Sequence, residues 1–257
     1  MSTVVVTGAA GFIGYHLSKR LLSEGHTVIG IDNINDYYEV SLKHDRLTDI
    51  SKHPRAEKHF SFFKEDICDL QALRDVTKDK GVSVIVNLAA QAGVRYSIEN
   101  PQAYVDTNIT GFLNILQLSK ELNVEHLVYA SSSSVYGSNS QIPFSTEHSV
   151  DHPVSIYAAT KKSNELMAHV FSHMYGLPTT GLRFFTVYGP WGRPDMAYYL
   201  FTDKIARGVS IPVFNNGNMK RDFTYIDDII MGTRSAMENN YPCEVFNLGN
   251  HKSENLM

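Results

Sequence analysis

Thr3-Val4-Val5-Val6-Thr7-Gly8-Ala9-Ala10-Gly11-Phe12-Ile13-Gly14 is the stretch that decides the fold. Its opening run is β-branched and apolar on both faces, which suits a strand buried inside a parallel sheet. A glycine cluster follows at once, and Ile13, Leu17 and Leu21 then recur at helical spacing until Gly25 offers a stop. Glycine lets the chain turn sharply off the strand, lets backbone approach a pyrophosphate and lets the helix pack closely on the sheet. The helix amino terminus then presents free N–H groups and a positive dipole end to the phosphates. Thr27–Ile31 reads as a second buried strand closed by Asp32, 18 residues past Gly14, close to the spacing expected of a carboxylate on adenosine ribose hydroxyls. Gly8, Gly11, Phe12, Ile13, Gly14 and Asp32 are thus the expected dinucleotide site. Asp32 would repel the 2′-phosphate of NADP and Asn33 supplies no cation, so NAD is the expected cofactor.

The same alternation continues outward. Phe60–Phe63, Val84–Leu88, His126–Ala130 and Thr180–Phe185 read as further strands. Between them, Ile109, Phe112, Leu113 and Leu116 form one helical stripe, and Ile156 through Met174 a longer helix. This order argues for α/β architecture, a Rossmann-type doubly wound parallel sheet with right-handed crossovers. Asp66, with Ile67 beside it, follows the third strand, where an acid can meet the adenine amino group or serve as an ordinary strand-end acid. Leu88-Ala89-Ala90 ends the fourth strand in small residues, as backbone lying against the cofactor requires. Asn108 opens a helix as a cofactor contact or a plain cap.

Composition narrows the function classes. The chain has 257 residues, 43% hydrophobic and 19% charged, an ordinary globular balance that excludes disorder, collagen and coiled coil. Lys and Arg number 23 against 27 Asp and Glu, a net charge of −4, so no basic excess points to nucleic acid. Cys68 and Cys243 are the only cysteines, too few for a disulfide framework or a cysteine zinc site, and no metal is expected. The amino terminus lacks a signal-peptide pattern and no apolar run approaches about 20 residues. A cytoplasmic protein without membrane insertion is expected.

Tyr157-Ala158-Ala159-Thr160-Lys161 places a phenol and an ammonium on one helix face. An isolated tyrosine has a pKa near 10 and is a poor base at neutral pH, whereas a neighbouring ammonium and a nicotinamide cation favour the phenolate. Spacing alone is weak, since Tyr15 and Lys19 share it within the glycine-rich helix. Tyr157 stands out because the run Ser131-Ser132-Ser133-Ser134 leaves the strand HLVYA at its carboxyl end, the edge where open α/β sheets place their sites. A hydroxyl there can share a proton with a bound alcohol or ketone and with the phenol.

From Gly189 the texture changes. GPWGRPDM sets two of nine prolines around the single tryptophan, an ordered loop leaving the sheet. A helix over about Tyr198–Arg207, a short strand Ile211–Phe214 and the turn Asn215–Asn218 are expected beyond it. Ser253-Glu254 reads as the opening of another helix, so the C-terminal lobe reads as truncated.

TGAAGFIG, Asp32, LAAQAGVR, SSSSVYG, YAATK and RDFTYIDD together resemble the extended short-chain dehydrogenase/reductase family. IDNINDYYEVSLKHDRL, QAGVRYSIENP and RFFTVYGPWGRPDMA resemble its nucleotide-sugar epimerase branch, most of all UDP-glucuronate 4-epimerases. The resemblance implies NAD as a bound catalytic cofactor, Ser132, Tyr157 and Lys161 as the catalytic set, and Lys161 also on the nicotinamide ribose. It implies a UDP-sugar substrate, a homodimer paired through helices over about Asp106–Asn123 and Ile156–Met174, and a place in polysaccharide biosynthesis. Arg221 matches a diphosphate contact, Pro212, Val213 and Phe214 match a segment bordering uracil, and Arg95 falls in the substrate-side motif. Arg193, with Thr186, Ser133 and Ser134 as hydroxyl partners, is the expected anchor for a sugar carboxylate, since an arginine fork grips both oxygens. The expected division is a 1–185 NAD-binding domain and a 186–257 partial nucleotide-sugar lobe, with 224–231 and 243–249 returning to the first. Dehydratases of the family carry an Asp-Glu pair where Ser133-Ser134 stands, and decarboxylases typically carry Glu at Ser134. Two serines supply neither the acid nor the base that removing water requires. A non-catalytic NAD-binding protein is the alternative from another class.

Overall fold

The computed structural model describes residues 1–211 and 213–255. Among them, β1 (Thr3–Thr7), β2 (Thr27–Ile31), β3 (Phe60–Phe63), β4 (Val82–Asn87), β5 (His126–Ser132), β6 (Thr179–Phe184) and a late strand, Cys243–Leu248, form one seven-stranded sheet. The order is β3-β2-β1-β4-β5-β6 followed by the late strand, and every pair is parallel. Val4, Val5 and Val6 are each fully buried, which shows why β1 carries no polar alternation. Val4 and Val6 pack among Leu17 and Leu21 of helix α1 (Phe12–Ser23) and the Ile226, Ile229 and Ile230 side chains. Val5 faces the opposite layer, with Leu73, Phe112, Ile115 and Leu116. Helices therefore cover both faces, and the strand order reverses between β1 and β4, the switch point where such sheets open a cleft.

Four helices complete the frame of the site. α2 (Val40–Ser51) returns from β2 toward β3 and α3 (Leu70–Thr77) connects β3 to β4. A second layer is led by α4 (Phe112–Glu121), which follows a π-helical turn over Val105–Gly111 rather than continuing one α-helix from Asp106. The long α5 (Ile156–Tyr175) starts where the Ser155 side chain accepts from the Ala158 N–H at 3.1 Å and stops at Gly176 with φ 66°.

Beyond β6 the chain adds β7 (Thr186–Tyr188), α6 (Ala197–Ala206), β8 (Lys220–Tyr225), α7 (Ile226–Glu238), the late sheet strand β9 (Cys243–Leu248) and β10 (Ser253–Asn255). β7 and β8 run parallel and β10 runs antiparallel to β8, with Ser253 opposite Asp222 and Asn255 opposite Lys220. The Ser253-Glu254 capping signal is thus overridden, because an open β8 edge offers backbone partners that a lone serine cap cannot match. The expected strand at Ile211–Phe214 does not form among the described residues. Instead Phe214–Gly217 is a 3₁₀ turn in which Asn216 and Gly217 hold left-handed φ of 49° and 75°.

Candidate active site

A cleft of about 1490 Å³ lies over the carboxyl ends of β1, β2, β4, β5 and β6. Its floor on one side is the glycine-rich turn. Gly8 has φ 69°, and a Cβ on it would sit 2.8 Å from the Ala89 nitrogen. A Cβ on Gly14 would sit 2.1 Å from the Gly8 carbonyl oxygen. Only glycine lets the turn rest on the end of β4 and lets α1 begin so close to it. Gly11 precedes α1 without a side-chain cap, and Gly8, Gly11, Phe12, Ile13 and Gly14 all border the cleft.

Asp32 is 8% exposed and accepts from the Ala10 N–H at 3.1 Å and the Ile34 N–H at 2.8 Å. Burial pushes its carboxyl up, against the opposing pull of Lys43, those N–H groups and Arg46. Asn33 donates to Asp66 at 2.8 Å, and the Cys68 N–H donates to the other Asp66 oxygen at 2.8 Å. Burial alone would raise Asp66, but these two donors outweigh it and hold its carboxyl below the usual range. Ile67, Leu88, Ala89 and Ala90 line the adjoining wall. Bare glycine backbone, an uncapped helix start and a carboxylate past the second strand fit a dinucleotide in diphosphate, ribose and base in turn. Sequence reasoning overlooks Lys43, which borders the same wall, although its ammonium is turned to Asn35 at 2.7 and 2.8 Å.

Asn108 is not brought to the cleft. It lies inside the π-helical turn. Its oxygen accepts from the Gln91 N–H at 2.9 Å, and its amide donates to the Gln91 carbonyl at 3.0 Å and to Thr160 at 3.1 Å. The asparagine therefore pins the segment after β4 to the helix that carries Tyr157, behind the cleft wall.

The reacting side chains meet on the opposite wall. β5 runs two residues further than the pattern suggests, so Ser131 and Ser132 are strand residues paired with Arg183 and Phe184. Ser133 and Ser134 follow in a 3₁₀ turn, where the Ser134 N–H donates to the Ser132 hydroxyl at 3.1 Å. Tyr157 and Lys161, one turn apart on α5, border the cleft with all four serines. Burial pushes the Tyr157 phenol up, while the Ser132 hydroxyl and the charge of Arg193 pull it down. The Lys161 ammonium donates to the Ala130 carbonyl at 2.7 Å, and desolvation brings it down to about 8. At Tyr157 burial outweighs the serine and the arginine, and the phenol stands above its usual value. Behind this wall, Arg183 grips Glu165 with two bonds of 2.9 Å, and Ser131 donates to Glu165 at 2.7 Å. Tyr15 and Lys19, the other pair of that spacing, are tied to Asp49 at 2.6 Å each and lie outside the cleft.

On the substrate side, Arg95, Thr186, Arg193 and Arg221 all border the cleft. Arg193 donates through Nε and Nη2 to Asp195 at 3.0 and 2.5 Å, and Tyr37 donates to the same carboxylate at 3.3 Å. Asp195 and Tyr37 are functional candidates that single-residue motifs do not reveal, since their meaning comes from a contact 158 residues apart. Val213 is exposed and does not border the cleft, while Pro212 and the side chain of Phe214 lie outside the described residues. Among the described residues no helix is long and apolar enough to cross a membrane, and no cluster of His, Cys, Asp and Glu could hold a metal ion.

Comparison with known proteins places the chain among relatives. The chain is 54% identical to the protein CapI of Staphylococcus aureus, over 99% of this chain and 80% of that protein. It is 52% identical to UDP-glucuronate 4-epimerase 4 of Arabidopsis thaliana, over 92% of this chain but only 54% of the plant protein. Its fold matches the crystal structure of UDP-glucuronic acid 4-epimerase from Bacillus cereus in complex with UDP-glucuronic acid and NAD, with TM-score 0.89 and 36% identity over 99% of this chain and 79% of that one. The model of the NAD dependent epimerase/dehydratase family matches residues 4–249, and the chain belongs to that family.

Proposed function

We propose that the chain is an NAD-dependent nucleotide-sugar 4-epimerase that interconverts UDP-glucuronate and UDP-galacturonate through a 4-keto sugar. One observation carries the choice of an acid sugar: Arg193 borders the same cleft as Tyr157 and Ser132, and its forked donors are already set on a carboxylate, that of Asp195. Bound NAD supplies reversible acceptance of hydride at sugar C4. Tyr157 takes the proton from the 4-hydroxyl and returns it, with Ser132 sharing that proton. Lys161 holds the nicotinamide ribose, and Arg193 with Thr186, Ser133 and Ser134 holds the carboxylate. Incubating the protein with NAD and UDP-glucuronate and following the sugar by NMR tests the reading. UDP-galacturonate must appear without net change in NADH, and a dehydrated or pentose product in its place would refute it.

The cofactor preference follows from Asp32 and makes a separate prediction. Desolvated and surrounded by donors, its carboxylate excludes a 2′-phosphate, and NAD is expected to bind at least about tenfold tighter than NADP, equivalent to about 1.4 kcal/mol. Asp32→Ala with Asn33→Arg should reverse that ratio, helped by Lys43 on the same wall. Titration with both nucleotides checks it, and an unchanged ratio would remove Asp32 from the ribose.

The homodimer belongs to the same reading. Leu166, Val170 and Met174 form a stripe along α5 with exposures of 56%, 47% and 62%, and Val105 and Leu113 are also exposed on the neighbouring segment. An apolar stripe of this kind on a polar-rimmed helix pair marks an interface. Leu166→Glu with Val170→Glu should convert the dimer to a monomer in sedimentation without lowering the melting temperature of the subunit sharply. A double variant that sediments as the wild type does would assign the stripe to solvent.

A further inference from the structure

Arg46 is fully buried in α2, yet among the described residues it forms no ion pair with any carboxylate. Its hydrogen bonds explain how it survives there. Nε and Nη2 both donate to the Trp191 carbonyl, at 3.2 and 2.6 Å, and Nη2 reaches the Gly192 carbonyl at 3.3 Å. Nη1 donates to the Ala10 carbonyl at 3.0 Å and to the Tyr38 hydroxyl at 2.7 Å. These bonds match the five donors of a guanidinium. Burying an unpaired charge is costly, and a position that needed only to be filled would take an apolar side chain.

What the fork joins gives the reason. Ala10 belongs to the glycine-rich turn, Tyr38 to the segment after Asp32, and Trp191 and Gly192 to the loop whose next residue is Arg193. The loop is docked on the same support by other means: His16 of α1 meets the Pro190 carbonyl at 2.9 Å, and the Tyr15 ring lies 5.5 Å from the Trp191 ring. Trp191 itself holds a left-handed φ of 62°, a conformation that a bulky residue keeps only when its surroundings impose it. The two donors on its carbonyl are such an imposition.

We propose that Arg46 is a positioning residue that ties the Arg193 loop to the cofactor-binding turn, so that a diphosphate on that turn and the placement of Arg193 at the sugar reinforce each other. Its charge lies directly behind the turn, where an anion on the far side favours the same arrangement. The proposal rests on the reading that Arg193 holds the sugar carboxylate, and the test separates the two.

Trp191 is the only tryptophan, is 37% exposed and does not border the cleft, so nucleotide cannot shield it directly. Acrylamide quenching of its fluorescence therefore reports the loop alone. In wild-type protein freed of nucleotide, adding saturating NAD should lower the quenching constant by roughly half or more, as expected when ligand orders a coupled segment. Arg46→Lys, which keeps the charge but loses the fork, should quench more strongly than wild type and respond little to NAD. It should also raise KM for UDP-glucuronate roughly tenfold more than KM for UDP-glucose, the loss expected for charge-assisted hydrogen bonds. A quenching constant that ignores NAD in the wild type overturns the proposal even if the lysine variant fails to fold. So does a lysine variant that matches wild type. If Arg193→Ala, measured alongside, shows no preference between the two sugars, the carboxylate reading fails, and the quenching results alone decide whether the tie exists.

Discussion

Tyr157→Phe is expected to lower kcat by about 10²–10⁴-fold, the usual contribution of a positioned acid–base group, while leaving NAD affinity nearly unchanged. The phenol has no other task visible in the site. Its ring lies edge-on to Tyr104 at 6.0 Å, a contact that phenylalanine keeps. On the proposed reading the cofactor lies on the glycine turn and Asp32, which border the cleft apart from the phenol. Burial holds the phenol above its usual value, and the Ser132 hydroxyl and the Arg193 charge offset part of that rise. Ser132→Ala should therefore reduce turnover in the same direction and move the pH dependence of kcat/KM to higher pH, since a lowering influence on the phenol is lost. Lys161→Ala should impair both turnover and NAD binding, because the ammonium that meets Ala130 at 2.7 Å is also the residue expected at the ribose. Steady-state rates and nucleotide titration on the same samples check all three. Near-full activity in Tyr157→Phe would refute the mechanism.

Much of this arrangement is legible in the sequence because it is local. A buried strand, a glycine turn and a helix leave their pattern within a dozen residues, and the pattern of Thr3–Gly14 follows from sterics that admit few alternatives. The Tyr157–Lys161 face is likewise a consequence of helical spacing. What the sequence conceals is long-range or depends on competition. Nothing near Arg46 announces that its donors end on carbonyls 36, 145 and 146 residues away. The pairing of Arg193 with Asp195 is local but ambiguous, since a GRPD loop could turn either side chain to solvent. Asn108, which the sequence leaves open between a cofactor contact and a cap, is engaged by Gln91 and Thr160, a long-range pairing that no local pattern carries. Ser253 begins a strand because β8 presents an open edge, a fact about the fold that no cap signal carries.

Arg193→Ala should give the most informative change in specificity. Oxidation of glucuronate at C4 creates a β-keto acid, which loses CO₂ when the C5–C6 bond aligns with the carbonyl π system. An epimerase for this sugar must hold the carboxylate away from that alignment, and a forked cation with neighbouring hydroxyls does so by fixing both oxygens. In the structure Arg193 already grips one carboxylate, that of Asp195, through Nε and Nη2, so the arginine is oriented before any sugar arrives. Removing one partner of a desolvated charge pair costs about 2–5 kcal/mol, or roughly 30-fold or more in kcat/KM for UDP-glucuronate. UDP-glucose, which lacks the carboxylate, should lose much less. Residual turnover of the acid sugar should shift toward a decarboxylated pentose, seen by NMR as a UDP-sugar without C6. The variant also leaves Asp195 without its cation, so the Arg193→Ala, Asp195→Ala double variant is the necessary companion. If the double variant recovers UDP-glucuronate turnover, the stranded Asp195 caused the loss. Equal losses on both sugars would mean that Arg193 shapes the loop and nothing more. A loss confined to the acid sugar, with pentose among the products and no recovery in the double variant, is the outcome that a carboxylate anchor in the same cleft as Tyr157 requires.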